Sequence, residues 1–273
     1  MRPAARVAGL SPRRRVLITA VALAVIALAA FGGIQLARSG SGPADPSASR
    51  PSHVLLVPGY GGSTTALSQL AARIRATGRS ATVVPLAGDG TGDLQVQARV
   101  LNGYVNQALR DGSGPVTVIG YSAGGVVAWL WDVDFKGGAK VRQFITLGSP
   151  LHGASLAALG AAFVPGECPT ACQQLVPGST LLSALQNSPA AARPPWLSLW
   201  TTDDQVVQPP ASARLAGAVN VPLQSVCPGV SIAHGQLPTD PLVVGIVLRD
   251  LGRAAPAAPG PGQCHSLQAL GSS

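Results

Sequence analysis

Residues 116–125, Val116-Thr117-Val118-Ile119-Gly120-Tyr121-Ser122-Ala123-Gly124-Gly125, pass from a β-branched run into small residues through a G-x-S-x-G pentapeptide. The first half has the composition of a strand buried on both faces, and residues 123–131 read as a helix. A serine between such elements sits on a sharp strand-to-helix turn, the geometry of a nucleophile elbow. The turn strains the serine backbone, and the close approach of strand and helix requires residues without side chains two positions away on either side. Gly120, Gly124 and Gly125 meet that requirement. In a chain with 33 glycines the pentapeptide alone carries little weight, so its placement between strand and helix is what counts.

Outward from this segment, β-branched runs alternate with Ala/Leu-rich stretches, as expected where helices connect parallel strands. Strands are predicted over 53–57, 81–85, 116–120, 141–147, 196–200 and 218–225. Helices are predicted over 66–77, 94–110, 123–131 and 242–251. The fold class is α/β, a mostly parallel sheet with helices on both faces. The 273 residues, 47% hydrophobic and 11% charged, suffice for a large core and exclude a disordered chain. Glycine and proline occur without a triplet period, which excludes collagen-like and low-complexity arrays.

The net charge of +8 does not point to nucleic acid. Arg2, Arg6, Arg13, Arg14 and Arg15 precede any acidic residue, whereas 51–251 carries eleven Lys plus Arg against ten Asp plus Glu. A surface that tracks phosphates needs its cations clustered on the folded domain. Here they flank an apolar run over 16–36, about 21 residues or about 31 Å as a helix, enough to cross a bilayer. Basic residues before such a run stay on the cytoplasmic side, so the chain beyond the run is expected to be exported, either secreted or anchored at the outer face of the membrane. An uncleaved anchor and a cleaved signal both fit: Ala27-Leu28-Ala29 offers a cleavage pattern, and Arg13-Arg14-Arg15-Val16-Leu17 loosely matches a twin-arginine signal. The predicted organisation is an export segment or anchor over 1–37, a flexible linker over 38–52, and a domain over 53–273 with a cap-like insertion at 154–195. Residues 254–262, rich in Ala, Pro and Gly, are expected to be irregular. Cysteines 168, 172, 227 and 264 all lie beyond the apolar run, and of three possible pairings Cys168 with Cys172 and Cys227 with Cys264 is favoured. A metal site is disfavoured, since no His lies at ligand spacing beside the single Cys-x3-Cys pair.

A serine hydroxyl needs an imidazole to take its proton, and the imidazole needs a carboxylate to fix its tautomer. On an elbow of this kind the acid comes after the serine and the histidine after the acid. His234 and His265 come late enough. His234 lies in a loop before the last helix, whereas His265 is in the tail beside Cys264. The acid is expected just past the strand 196–200, where Asp203 and Asp204 compete and only one can face the imidazole. Asp240 breaks the order, and Glu167 lies outside any strand end. Two backbone amides are expected to receive the oxyanion: that of Ala123, and that of Tyr60 in the loop Pro58-Gly59-Tyr60-Gly61-Gly62. That loop lacks the third spaced glycine and the lysine of phosphate-binding loops.

Five ordered segments together carry a resemblance: Val57-Pro58-Gly59-Tyr60-Gly61-Gly62, Gly120 to Gly125, Ile145-Thr146-Leu147-Gly148-Ser149-Pro150-Leu151-His152-Gly153, Asp204-Gln205-Val206-Val207-Gln208-Pro209 and Ala233-His234-Gly235. From about His53 to Leu251 the chain resembles the α/β-hydrolase lipases, especially small secreted bacterial lipases of the class 2 type. It departs from them at Pro58-Gly59, where such lipases commonly have His-Gly. The resemblance implies a three-layer α/β-hydrolase fold and a triad of Ser122, Asp204 and His234, its register placing the acid on Asp204. His152 then belongs to a structural turn. The implied activity is hydrolysis of an uncharged ester, a lipid or small ester, by a monomer with no cofactor. The alternatives are a serine acyltransferase or amidase on the same fold, or an envelope-binding module that has lost activity. Leu156, Leu159, Phe163, Leu181, Leu182 and Leu185 of the insertion are candidates for an acyl-binding wall or for ordinary core.

Overall fold

The computed structural model describes residues 52–155, 168–188 and 194–273. The apolar run, nearly all of the linker, and Leu156, Leu159, Phe163 and Glu167 lie outside the described residues. Six strands form one sheet: β1 (Val54–Val57), β2 (Ala81–Val83), β3 (Val116–Tyr121), β4 (Val141–Leu147), β5 (Trp196–Trp200) and β6 (Val219–Pro222). Their order is β2-β1-β3-β4-β5-β6 and every neighbouring pair is parallel. The sheet is therefore wholly parallel over the described residues, where the sequence predicts a mostly parallel one.

Alternation along the strands divides the interior into two layers. Leu55, Val57, Val116, Val118, Phe144 and Trp196 point to one side, where α2 (Leu94–Arg110) and α3 (Ala123–Phe135) pack. Val54, Leu56, Ile119, Ile145, Leu197 and Leu199 point to the other, covered by α1 (Thr65–Ala76) and, further along the chain, Pro241–Leu251. Helix α2 buries Leu94, Ala98, Leu101, Val105 and Ala108, a 4-3-4-3 spacing that makes one apolar stripe. Its first turn is capped by Asp93, whose carboxylate accepts from the Gln95 amide at 2.9 Å.

Two short helices lie in the described part of the insertion, α4 (Thr170–Gln174) and α5 (Thr180–Gln186). The Gln174 side chain accepts from the Leu94 amide at 2.8 Å and donates to Asp93 at 2.8 Å, tying the insertion to the start of α2. Leu182 and Leu185 are buried in the same core as α3, with Leu181 packed against it. Leu182 and Leu185 are thus core residues, the second of the two roles the sequence leaves open, and Leu181 is half-buried against them.

Strand β6 runs directly into the four-residue α6 (Leu223–Val226), so only 219–222 of the predicted strand 218–225 is extended. After α7 (Pro241–Leu251) the segment 254–260 is irregular, as its composition suggests, but the tail then forms α8 (Cys264–Ser272), which the sequence does not signal. Helix α8 lies so close to α7 that a Cβ at Gly245 would sit 1.9 Å from the Leu267 carbonyl oxygen, and one at Gly271 1.8 Å from that of Pro241. The disulfides join Cys168 to Cys172 and Cys227 to Cys264. Among the described residues no helix is long and apolar enough to cross a membrane.

Cys227 and Cys264 are 37 residues apart and Cys168 and Cys172 only four. Loop-closure entropy then gives about 4 kcal/mol for the first bridge and about 2 kcal/mol for the second. Replacing both cysteines of the long bridge by serine is expected to lower the urea midpoint about twice as far as the same change in the short one. Urea titrations of the two double variants check this ordering.

Candidate active site

Ser122 stands between the end of β3 and the start of α3 with φ 52° and ψ −127°. A non-glycine residue in that region is strained and persists only when its surroundings hold it there. The surroundings are glycines. A Cβ at Gly120 would meet Gly125 Cα at 2.5 Å, one at Gly124 would meet the Val57 carbonyl oxygen at 2.2 Å, and one at Gly125 would meet Ser149 Oγ at 2.0 Å. The Ser122 amide donates to the Leu147 carbonyl at 2.9 Å, locking the turn to the end of β4.

The Pro58–Gly62 loop passes over this turn, since a Cβ at Gly59 would lie 2.9 Å from Ser122 Cβ. Tyr60 is the next residue of the same loop. Ala123 is the first residue of α3, so its amide is one of the helix-terminal donors that have no carbonyl partner one turn back.

Past β5 the two aspartates part company. Asp203 is exposed and Asp204 is buried. One Asp204 carboxylate oxygen accepts from the Val206 amide at 2.9 Å and the Val207 amide at 2.7 Å. The other lies 2.7 Å from His234 Nδ1. Three N–H donors thus compensate the charge of a carboxylate removed from water. A carboxylate at Nδ1 fixes that nitrogen as the donor and leaves Nε2 as the basic one.

The His234 segment is held from several directions. Its amide donates to the Gln205 side chain at 3.2 Å, and the Tyr121 hydroxyl donates to its carbonyl at 3.3 Å. The Tyr121 and His234 rings lie 5.2 Å apart, centre to centre. Gly148, at φ 55°, leaves the space over the pair: a Cβ there would be 3.2 Å from both Asp204 Oδ2 and His234 Nδ1, and 2.5 Å from a Leu237 methyl. Ser122 is bonded to Leu147 and the Asp204–His234 pair faces Gly148, so both flank one stretch of backbone at the carboxyl ends of the strands. Tyr121 bridges them, being the chain neighbour of one and the ring neighbour of the other.

Of the other residues weighed in the sequence, Asp240 caps α7, its carboxylate accepting from the Leu242 amide at 2.8 Å. His152 is exposed, with Nδ1 3.2 Å from the Ser212 carbonyl. His265 is exposed on α8. The sequence assigns no role to Tyr121, Gly148 or Gln205. The signal available for them is adjacency: the residue before Ser122, the glycine after β4, and the residue after Asp204. Among the described residues no group of three His, Cys, Asp or Glu side chains is arranged to hold a metal ion.

Burial, and secondarily the charge of Asp204, push the Tyr121 phenol up to about 12. The native state keeps this phenol neutral above pH 10, where an unfolded tyrosine ionises, so the stability it supplies is complete below about pH 10 and lost as pH rises toward about 12. Urea midpoints of wild type and Tyr121→Phe across this range are expected to converge as pH rises, and parallel curves would show that ionisation of Tyr121 is not linked to folding there.

No protein-family model matches the chain, and neither does any curated protein. Solved structures do. Lipase B of Aspergillus fumigatus superposes with a TM-score of 0.68 at 21% identity, covering 82% of this chain and 56% of that one. The mature form of the Bacillus licheniformis lipase BlEst2 gives a TM-score of 0.53 at 20% identity, covering 65% of this chain and 83% of that one. The chain therefore spans little more than half the length of the Aspergillus protein. A likeness at these identities concerns the backbone, and with the wholly parallel sheet and the strained serine turn it shows that the domain has the α/β-hydrolase fold.

Proposed function

We propose that the protein is a serine ester hydrolase of lipase type, with Ser122 as nucleophile, His234 as general base and acid, and Asp204 as the carboxylate that orients it. The observation that carries this reading is the 2.7 Å contact between Asp204 and His234 Nδ1, on the same rim as the strained elbow at Ser122. His234 Nε2 takes the hydroxyl proton as Ser122 Oγ attacks the ester carbonyl. The tetrahedral oxyanion is received by the amides of Ala123 and Tyr60. Collapse expels the alcohol, to which His234 returns the proton. A water deprotonated by the same imidazole then attacks the acyl-enzyme and releases the acid. The asymmetry of the two aspartates supports Asp204 as the acid: Asp203 is exposed, and its amide is engaged with the Thr201 hydroxyl at 3.1 Å.

The substrate is an uncharged ester. Segments 57–62, 120–125, 145–153 and 233–235 contain no Asp, Glu, Lys or Arg, which supports a substrate without an ionic group. The two closed disulfides support an oxidising compartment outside the cytoplasm, reached through the N-terminal apolar segment as signal or anchor.

The test is turnover of p-nitrophenyl esters of graded chain length, together with labelling by a fluorophosphonate. Wild type is expected to hydrolyse the esters and to be labelled at Ser122, while Ser122→Ala does neither. Equal rates for the two would end the proposal. Asp204→Asn is expected to lower kcat by roughly 10^4-fold, the scale for losing the group that sets the imidazole tautomer. Asp203→Asn should stay within a few-fold of wild type, and the reverse ranking would move the acid to Asp203.

A further inference from the structure

A cavity of about 670 Å3 opens between the turn at His152 and the segment just past Pro209. Neither Ser122, Asp204 nor His234 lines it. Its volume is in the range of small-molecule sites. Pro177, Pro209, Leu215 and Ala216 supply an apolar wall, and its charged lining residue is Arg214. No carboxylate lines the cavity, and Arg214 enters neither ion pair found among the described residues.

The other polar side chains there are mostly spoken for. Asn220 bonds the Leu215 amide and carbonyl and the Ala218 carbonyl. The Ser212 hydroxyl donates to the Gly153 carbonyl, and His152 Nδ1 is engaged by the Ser212 carbonyl. What remains is one guanidinium, with the Nε2 edge of His152, beside an aliphatic wall.

We infer that this cavity binds a single-chain carboxylate, its acid group paired with Arg214 and its chain laid along Pro177, Pro209 and Leu215. A guanidinium matches a carboxylate with two parallel hydrogen bonds. One cation suits one negative charge. The lining has no Phe, Tyr or Trp on which a nucleobase could stack, and no second cation for a phosphate dianion. An alkyl chain gains by leaving water for the aliphatic wall. This is also the chemical class of the acid that the proposed hydrolysis releases, although the cavity's occupancy does not depend on Ser122.

The experiment is a calorimetric titration of the full chain carrying Ser122→Ala, with decanoate and with decanol, each below its aggregation limit. Decanoate is expected to bind one per chain, and decanol at least about tenfold more weakly, the scale of one hydrogen-bonded charge. Adding Arg214→Gln should weaken decanoate about tenfold or more and leave decanol unchanged. Ala216→Trp, which fills the cavity from an exposed position, should weaken both. Arg214 and Ala216 are exposed, so neither variant threatens the fold, and unchanged thermal unfolding verifies that. Equal decanoate affinity with and without Arg214, or decanol binding as tightly as decanoate, overturns the assignment. No turnover is read in this titration, so a failure here is separable from a failure of the ester hydrolase reading.

Discussion

The constraint on which the site depends is steric: helix α3 must begin almost in contact with strands β1 and β3. At Gly124 a single added carbon would approach the Val57 carbonyl to 2.2 Å, and at Gly120 it would meet Gly125 at 2.5 Å. Only a backbone stripped of side chains closes that gap. Closing it forces the intervening residue to φ 52°, and that residue is Ser122. The strain is borne by the packing of α3, whose residues from Ala123 to Asp132 are all buried. The serine's position is therefore a consequence of core packing, completed by the bond from its amide to the Leu147 carbonyl.

The second half of the site obeys a different rule. Asp204 is held by hydrogen bonds to the two amides just beyond it, and the same loop reaches His234 through the Gln205 side chain. The loop that carries Asp204 thus meets the His234 segment at two points, the imidazole and its backbone amide. Tyr121 joins the two halves, lying on β3 beside the serine and donating to the His234 carbonyl. The half-buried phenol is a donor that stays neutral throughout the physiological range, so it can hold the backbone carbonyl without adding charge next to the carboxylate.

Much of this is legible in the sequence because the signals are local. Helix 94–110 and strands 141–147 and 196–200 fall where their apolar patterns place them, since a stripe or a run states its own limits. The elbow is legible because glycine spacing encodes backbone proximity directly. Asp203 and Asp204 cannot be separated by local pattern: what distinguishes them is the direction of one turn, and only the resemblance to lipases favours Asp204. Helix α8 is hidden for a related reason. Its helical character lies in fit to a partner, with Leu267 and Gly271 matched to Gly245 and Pro241, and no periodicity within nine residues announces that.

That hidden helix bears on the imidazole. The loop carrying His234 leads through the Asp240 cap into α7, so the placement of α7 sets one end of the loop. Helix α7 is clamped in turn by α8 at Gly245 and Gly271, and α8 is fastened through Cys264 to Cys227, just past α6 and β6. The chain thus returns to the sheet next to β5, the strand that delivers Asp204. Acid and imidazole sit 2.7 Å apart because the loops bearing them are anchored to adjoining parts of one sheet, one by direct strand pairing and the other through two glycine contacts and a covalent bond. A tail that touches neither Asp204 nor His234 therefore belongs to the frame that holds the pair.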